Sequence, residues 1–312
     1  MAFTVVTQSN VANTVLPALA AKALQQLTSH RYLATLIGRA VDLSPETPRQ
    51  KGDVIRVMTP STFSANDKAE NAEVTVQAGT IGTSNLTIDK WKEVSIRIGD
   101  KAKLFSSADM ISQFGTNAGM ALIRQVNSDL LGEYASAGGT AVGTYGAALT
   151  AAVMRTLWQQ MSDAELPSED RFVVIPPVAY ADLLAIAEFT KTNEYGSQAP
   201  QQQGELGDLY GMKCHWNPGV PTTTVSSATR YHGIAFQRNC IVWAPVTAEL
   251  PDPRNGVIAA TATLADSDGR PNGFSVRTML GYDQKEMCHV LTFDLLYGVL
   301  TARAAGVFEV RR

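Results

Sequence analysis

Hydrophobic and polar side chains alternate along residues 86–98, which is the pattern of a β-strand with one buried face. A shorter strand is predicted at 53–58. Between them, residues 61–84 carry few large apolar side chains, so residues 51–99 are expected to form a long β excursion that lies across a neighbouring surface. The two faces of the return strand hold Leu86, Ile88, Lys90, Lys92, Val94, Ile96 and Ile98 on one side and Thr87, Asp89, Trp91, Glu93, Ser95 and Arg97 on the other.

A helical period follows over residues 106–137, where apolar side chains recur every three or four positions. Ser106 can act as its N-cap, with Asp109 three residues later. At 1.5 Å per residue the predicted helix is about 45 Å long. The apolar stripe consists of Ile111, Phe114, Ala118, Leu122, Val126, Leu130 and Tyr134.

A glycine-rich stretch at 138–146 ends this helix and is interpreted as a flexible connection and a domain boundary. It has neither the Gly-Lys-Ser/Thr ending of a P-loop nor the spacing of a dinucleotide-binding loop, and it follows a helix rather than a strand. The hinge candidates are Gly138, Gly139, Gly143 and Gly146.

The remaining segments are shorter. Residues 1–50 are interpreted as an arm that includes a short amphipathic stretch. After the glycine-rich connection, helices are predicted at 147–161 and 178–189 and a buried strand at 171–175, followed by a polar loop at 190–206. Further strands are predicted at 209–216, 231–243, 274–280, 287–293 and 307–310.

Composition changes this picture in one respect. The chain has 312 residues and 33.5 kDa, and only 18% of its residues are charged, against about 25% in ordinary soluble domains. This shortage of charge indicates a surface that is covered by further copies of the chain. The net charge of −3 gives no basic footprint for nucleic-acid recognition. No apolar run is long enough to span a bilayer.

The sequence contains no recognised catalytic motif. Two adjacent pairs, Cys214-His215 and Cys288-His289, could form a composite metal site with Cys240. Neighbours on a strand point to opposite faces, however, so buried cysteines that serve in packing are the favoured interpretation. His30 and His232 stand alone in the sequence and are interpreted as surface or satisfied polar residues. No cofactor is expected.

Trp91 lies between Lys90 and Lys92 on the polar face of the excursion. A tryptophan at such a position fits a protein–protein contact, since tryptophan is enriched among interface anchors. The candidate inter-subunit contact residues are Lys68, Lys90, Trp91, Lys92, Glu93 and Arg97.

The order of these parts resembles the HK97-type major capsid proteins of tailed bacteriophages. The segments that carry the resemblance include 206–212 followed by 217–221, 232–236 running on to 244–245, and the closing strands at 273–277, 281–283 and 296–299. The resemblance implies an α+β HK97-like fold. Its parts would be an N-terminal arm (1–50), an E-loop (51–99), a spine helix with the start of the peripheral domain (100–146), a mainly axial domain (147–272) and C-terminal strands of the peripheral domain (273–312).

The resemblance also implies a function. The chain would be a non-enzymatic coat protein, made in the host cytoplasm, that assembles as hexamers and pentamers into an icosahedral virion shell around double-stranded DNA. Portal, scaffold and decoration proteins would be its other partners, and no membrane is involved. Lys–Asn cross-links occur in some family members, and Lys68, Lys90 and Asn272 are the residues that could form them here.

Two alternatives remain open at this point. The first is an encapsulin-like cargo compartment built on the same fold. The second is a homo-oligomeric α/β enzyme that uses residues 147–245 as its catalytic domain, which would require a deep pocket with perturbed ionisable groups.

Overall fold

The structure is a computed structural model. It describes residues 33, 37–39, 54–60, 65–68, 70, 73–74, 76–79, 81–100, 109–190, 206–246, 248–251, 258–265 and 271–312. The predicted arm therefore lies almost entirely outside the described residues, as do most of the polar loop at 190–206 and the first turn predicted for the long helix.

Four helices lie in the described part of the chain. They are α1 (Asp109–Leu131), α2 (Ala151–Asp163), α3 (Pro177–Leu184) and α4 (Ala187–Thr190).

The described strands number fourteen. They are β1 (Gly38–Arg39), β2 (Val54–Pro60), β3 (Ile81–Thr87), β4 (Lys90–Gly99), β5 (Arg171–Ile175), β6 (Asp208–Leu209), β7 (Met212–Trp216), β8 (Thr222–Val225), β9 (Ala228–Gln237), β10 (Ile241–Val246), β11 (Ile258–Ala265), β12 (Pro271–Asp283), β13 (Cys288–Thr301) and β14 (Val307–Arg311).

The strands form two six-stranded sheets and one hairpin. The first sheet has the order β1-β10-β13-β12-β11, with β4 paired to the other edge of β13. The second sheet has the order β14-β9-β5-β7-β6, with β8 paired to β9. Strands β2 and β3 form the separate antiparallel hairpin.

The long helix is confirmed over residues 109–131, and its α-helical part ends earlier than predicted. Helix α1 has 23 residues, about 35 Å, and then tightens into a 3₁₀ turn at Gly132–Ser136. Such turns are frequent at helix ends, and glycine is a poor helix former. Its buried stripe faces the core through Ala118, Leu122, Val126 and Leu130.

Three other predicted elements are each divided in two. The predicted helix at 178–189 becomes α3 and α4, and the predicted strand at 231–243 becomes β9 and β10 around a 3₁₀ turn at Arg238–Cys240. The predicted strand at 209–216 turns at Tyr210 and Gly211, both of which have positive φ. Local turn geometry interrupts apolar runs that the sequence pattern reads as continuous.

The excursion differs from its predicted limits. Strand β4 pairs with β13 along its whole length, from Gly99 opposite Cys288 to Lys90 opposite Tyr297. Residues 90–99 are therefore part of the first sheet, whereas the described strands of the hairpin, β2 and β3, pair only with each other. The apolar face of β4 explains the difference, because it packs against helix α1.

The sheets also divide the second half of the chain differently from the predicted boundary at 272/273. Strands β10 and β11, which precede it, belong to the first sheet, and β14, which follows it, belongs to the second. Strand pairing decides this, across 50 to 60 residues of chain between β10 and β13 and across 71 to 79 residues between β9 and β14, and the local sequence pattern does not reveal such pairing.

Two hydrophobic clusters hold the described residues together. The larger one joins α1, α2, α3 and the two sheets. The smaller one lies at the base of the hairpin, where Ile55, Val57 and Leu86 are buried against β10 and β13. The hairpin is thus anchored at its base by the same subunit.

Candidate interaction surface

Strand β4 presents two different faces, as its sequence predicts. Its side chains alternate between half-buried and exposed from Lys90 to Arg97. On the inner face, Lys92 Nζ lies 3.4 Å from Asp129 Oδ2 of helix α1. The same carboxylate accepts a hydrogen bond of 2.6 Å from the hydroxyl of Tyr297. This face is completed within the subunit.

Trp91 lies on the outer face with 51% of its surface exposed. Its Nε1–H donates a hydrogen bond of 2.9 Å to Asp294 Oδ2. Asp294 is only 2% exposed, and both of its oxygens also accept hydrogen bonds from the guanidinium of Arg277. A buried charged pair therefore fixes the edge of the indole, while much of the ring stays open to solvent.

The rest of the outer face carries exposed polar groups. Arg97 forms an ion pair with Glu286 of the β12–β13 turn. The hydroxyl of Ser95 lies 3.1 Å from that of Thr292 on β13, and the side chain of Glu93 is exposed beside them. Glu93, Ser95 and Arg97 are all exposed, so this face is open for a further contact.

The candidate contact residues do not form one cluster. Trp91, Glu93 and Arg97 share the outer face of β4, whereas Lys90 and Lys92 belong to the inner face. Lys68 is exposed in the segment between β2 and β3. Their role between subunits remains a prediction, and the structure gives Trp91, Lys92 and Arg97 partners inside the chain.

The hairpin carries the other exposed apolar side chains of this region. Its inward side chains are buried at the base, but Val54 and Met58 on its other face are 46% and 53% exposed. Val74 and Val76, in the segment that joins its strands, are 71% and 89% exposed. An apolar surface that one subunit leaves open is typical of an interaction site.

The glycine-rich connection is held closely against strand β14. The amides of Gly138 and Gly139 donate to the carbonyls of Ala304 and Val307, and Val142 forms a β-bridge with Val310. A Cβ on Gly139 would lie 2.2 Å from the ring of Phe308. Close packing is therefore one reason for glycine here, and hinge motion stays a prediction.

Gly143 and Gly146 both adopt positive φ, +84° and +78°, in different surroundings. A Cβ on Gly143 would lie 2.4 Å from the carbonyl oxygen of Arg311, whereas a Cβ on Gly146 would have nothing within 4 Å.

The cysteine–histidine pairs are not brought together. Cys214 lies on β7 of the second sheet, and Cys288 lies on β13 of the first. Burial raises the pKa of the Cys214 thiol to about 12, so this thiol stays protonated at neutral pH. The three cysteines are buried and unbridged. Asp283 and Glu286 do lie near Cys288, but Glu286 is already paired with Arg97.

A buried polar cluster that the sequence interpretation missed surrounds His232. Its Nδ1 lies 2.7 Å from Glu309 Oε1, and its Nε2 lies 2.8 Å from the hydroxyl of Thr223. The hydroxyl of Tyr145 donates to the same Glu309 oxygen at 2.7 Å. Tyr134 stacks on the imidazole with a centroid distance of 4.5 Å. The sequence around His232 gives no signal for this cluster, because Glu309 lies 77 residues away in the chain.

The charge of Glu309 is supported from several sides. Burial acts to raise its pKa, but hydrogen bonds from Tyr145, His232 and Arg311 outweigh burial and hold the pKa below its ordinary value. Burial and the adjacent carboxylate raise the pKa of Tyr145. The cluster therefore holds an ionised carboxylate among donors at neutral pH.

None of the helices in the described residues is sufficiently long and apolar to cross a membrane.

Comparison with known proteins places these features in a family. The profile of the phage capsid protein family matches residues 81–308. No curated protein matches the chain. Among solved structures, the protein of Mycobacterium phage Che8 is similar, with a TM-score of 0.61 and 17% identity over 89% of this chain and 90% of that one.

Two further structures show the same fold. The capsid protein of cyanophage P-SCSP1u has a TM-score of 0.61 and 16% identity over 88% of this chain and 86% of that one. The virus-like particle protein from Pyrococcus furiosus has a TM-score of 0.52 and 12% identity, covering 95% of this chain and 99% of that one. The predicted α+β HK97-like fold is thus confirmed.

A phage capsid protein and an encapsulin-like compartment share this fold, so the fold alone does not distinguish them, but the family match does. It supports a shell protein of a phage capsid and does not favour the encapsulin-like compartment. The relatives are structural proteins rather than enzymes. Since the matching profile covers well over half of the sequence, this chain belongs to the phage capsid protein family.

Proposed function

We propose that this capsid protein is the repeating subunit of an icosahedral shell, arranged in hexamers and pentamers around packaged double-stranded DNA. The observation that carries the proposal is the match of residues 81–308 to the phage capsid family. The virion is the site of action that this family implies. The subunit would be made in the host cytoplasm and would meet portal, scaffold or decoration proteins during assembly.

The outer face of β4 and the hairpin are the surfaces we assign to contacts between subunits. Trp91 offers an open ring whose edge is already fixed by Asp294. Glu93 and Arg97 lie on the same face, and exposed charges of this kind set register and partner choice more than affinity. The uncovered valines between β2 and β3 add apolar area to bury. Lys68 and Lys90 would lie at the edge of this contact.

The DNA contact is proposed to be weak and non-specific. The chain carries a net charge of −3, and tight binding to DNA depends on neutralising phosphates with lysine and arginine. A subunit with a net charge near zero would enclose DNA without binding it tightly. Binding of duplex DNA by the purified subunit should accordingly be undetectable at physiological salt.

Cross-linking by Lys68 or Lys90 to Asn272 is kept as a separate hypothesis. Strand β12 contains Asn272, but ordinary surface lysines explain these residues equally well. Denaturing electrophoresis of mature particles decides between the two. A single band at 33.5 kDa would dismiss the cross-link, and a ladder of multiples would establish it.

Electron microscopy of the purified protein tests the proposed function. Closed shells of uniform size are expected, and discrete small oligomers across a range of salt and crowding conditions would overturn the proposal. The double variant V74S/V76S should reduce shell formation because it makes the hairpin segment polar. The variant V225S is the matched control, since Val225 is also exposed (40%) but lies on β8 of the second sheet.

A further inference from the structure

The glycine-rich connection and the C-terminal strand are joined twice, by backbone and by side chains. The amide of Val142 donates to the carbonyl of Glu309 at 2.8 Å, and the amide of Arg311 donates to the carbonyl of Val142 at the same distance. Tyr145, at the far end of the connection, reaches back to the carboxylate of Glu309. Glu309 thus holds the connection with its main chain and with its side chain.

The side-chain contact depends on the charge of that carboxylate. An ionised carboxylate only accepts hydrogen bonds. Glu309 Oε1 faces the hydroxyl of Tyr145 and Nδ1 of His232, and Oε2 faces Nε of Arg311 at 2.9 Å. A proton on Glu309 would face these donors, and it would remove the charge that the arginine pairs with. Hydrogen bonds to charged groups are about twice as strong as those between neutral groups.

We propose that the His232–Glu309–Tyr145 cluster is a proton-controlled clamp, which fixes the connection at 138–146 to strand β14 when Glu309 is ionised and releases it when Glu309 is protonated. The device is built into a single subunit. It therefore does not depend on the proposed contacts between subunits.

Groups from strands β8, β9 and β14 and from the 3₁₀ turn at Gly132–Ser136 face the clamp. Arg311 comes from β14, His232 and Arg230 from β9, and Tyr134 from the 3₁₀ turn. The guanidinium carbons of Arg230 and Arg311 each lie 5.0 Å from the centre of the Tyr145 ring. Thr223 of β8 satisfies the remaining histidine nitrogen. Glu309 is the only carboxylate in this set, so its protonation leaves the cationic groups without a counter-charge.

The direction of the pH effect follows from the lowered pKa of Glu309. A carboxyl group whose pKa is lowered in the folded state stabilises the fold at pH values above its ordinary pKa. That contribution is lost as the pH falls through the lowered pKa. The clamp is therefore closed at neutral pH. Its contribution begins to fall below about pH 4.3, the ordinary pKa of glutamate, and is lost as the pH falls through the lowered pKa of Glu309.

Hydrogen exchange of the full-length protein, in one assembly state, tests the proposal. The observable is the protection of the amides of Gly138, Gly139 and Val142 after correction for the intrinsic exchange rate at each pH. In the wild type we expect protection to fall roughly tenfold on acidification, the loss of a charged hydrogen bond. In E309Q it should be low at neutral pH and change little with pH.

Two further variants keep the test decisive. Y145F retains the charge of Glu309 but removes the side-chain hydrogen bond by which the connection reaches that carboxylate, so protection should already be low at neutral pH and should change little on acidification. D182N is the control, because Asp182 also has a lowered pKa but is paired with Arg312. It should leave the transition at these amides in place.

Three results would overturn the clamp. The first is protection of the connection that does not change between neutral and acid pH in the wild type. The second is an E309Q variant that keeps the wild-type pH dependence, since another group would then titrate. The third is a Y145F variant that keeps the wild-type protection of these amides at neutral pH.

Discussion

Strands β5 and β4 lie in different sheets, and they differ in how completely one subunit covers them. All five residues of β5 are buried, and the strand lies between β7 and β9. Strand β4 alternates between half-buried and exposed residues and pairs, within the described residues, only with β13. The first strand is apolar almost throughout, and the second is apolar on one face.

The difference teaches which surfaces belong to the fold and which are left for other copies. A strand that is buried on both faces reads as a continuous apolar run, whereas a strand covered on one face shows alternation. The outer face of β4 carries Trp91, Glu93 and Arg97 with much of their surface open. A shell protein needs such a face, because contacts between copies must be made with surface that the subunit itself leaves uncovered.

The largest loss of unfolding free energy is expected at Asp294, a buried carboxylate beside the outer face of β4. The substitution Asp294→Ala should lower the free energy of unfolding by about 3–5 kcal/mol, because it leaves Arg277 without its partner in a mostly buried site. Denaturant unfolding of the subunit measures the loss. Glu93→Ala, opposite Asp294 in the sheet, is the control and should stay within about 0.5 kcal/mol. Equal effects would contradict this account of the face.

A slightly smaller loss is expected in the closed strand. Ile175→Ala removes a side chain with no exposed surface and should cost about 2–5 kcal/mol of unfolding free energy. Ser95→Ala on the outer face of β4 is the comparison, since its hydrogen bond to Thr292 is exposed. A cost for Ser95→Ala close to that for Ile175→Ala would remove the distinction between the two strands.

The local character of these strands could be predicted from the sequence, but their partners could not. Alternation from Leu86 to Ile98 reports a one-sided strand whatever its neighbour is. The local sequence pattern assigns β4 to the excursion, because it contains no sign that Trp91 donates a hydrogen bond to Asp294, 203 residues away. The family resemblance supplied the fold, which the structural comparisons confirm.

The polar cluster around His232 also could not be predicted, because its partners are distant in the sequence. His232 has no carboxylate near it in the sequence that would single it out, so the sequence supports only a satisfied polar residue. The structure agrees that it is satisfied and adds Glu309, Tyr145 and Thr223 as the partners. Those partners come from three different segments. Pairing of β9 with β14 and with β8 brings in Glu309 and Thr223, and the bridge of Val142 to Val310 brings in the connection that carries Tyr145.

In the glycine-rich connection, Gly143 and Gly146 both have positive φ, but only Gly143 is closely packed. Substituting each by alanine therefore distinguishes the cost of backbone conformation from the cost of a steric clash. Gly143→Ala should cost roughly 2–4 kcal/mol of unfolding free energy, from the positive φ and the clash with the backbone at Arg311. Gly146→Ala has a similar φ but open space and should cost only about 1 kcal/mol. Denaturant unfolding of both variants tests this. Equal costs would mean that the backbone at Arg311 gives way easily.

The next effect concerns association rather than folding. Trp91→Ala should weaken assembly by about 2 kcal/mol, roughly thirtyfold in the association constant, if the ring anchors a contact. Trp91→Phe keeps a ring but lacks the N–H that donates to Asp294, so it should assemble better than the alanine variant. Light scattering during assembly measures both. Equal assembly by wild type and Trp91→Ala would remove the tryptophan from the interface.

The smallest effect distinguishes an internal ion pair from a contact with another copy. Arg97 and Glu286 are both more than half exposed, so removing either should change the unfolding free energy of the subunit by less than about 1 kcal/mol. If the pair serves only the subunit, Arg97→Ala and Glu286→Ala should alter assembly equally. If Arg97 also meets a neighbouring copy, Arg97→Ala should slow assembly more than Glu286→Ala does. The gap between the variants should shrink as salt is raised, because salt screens exposed charges.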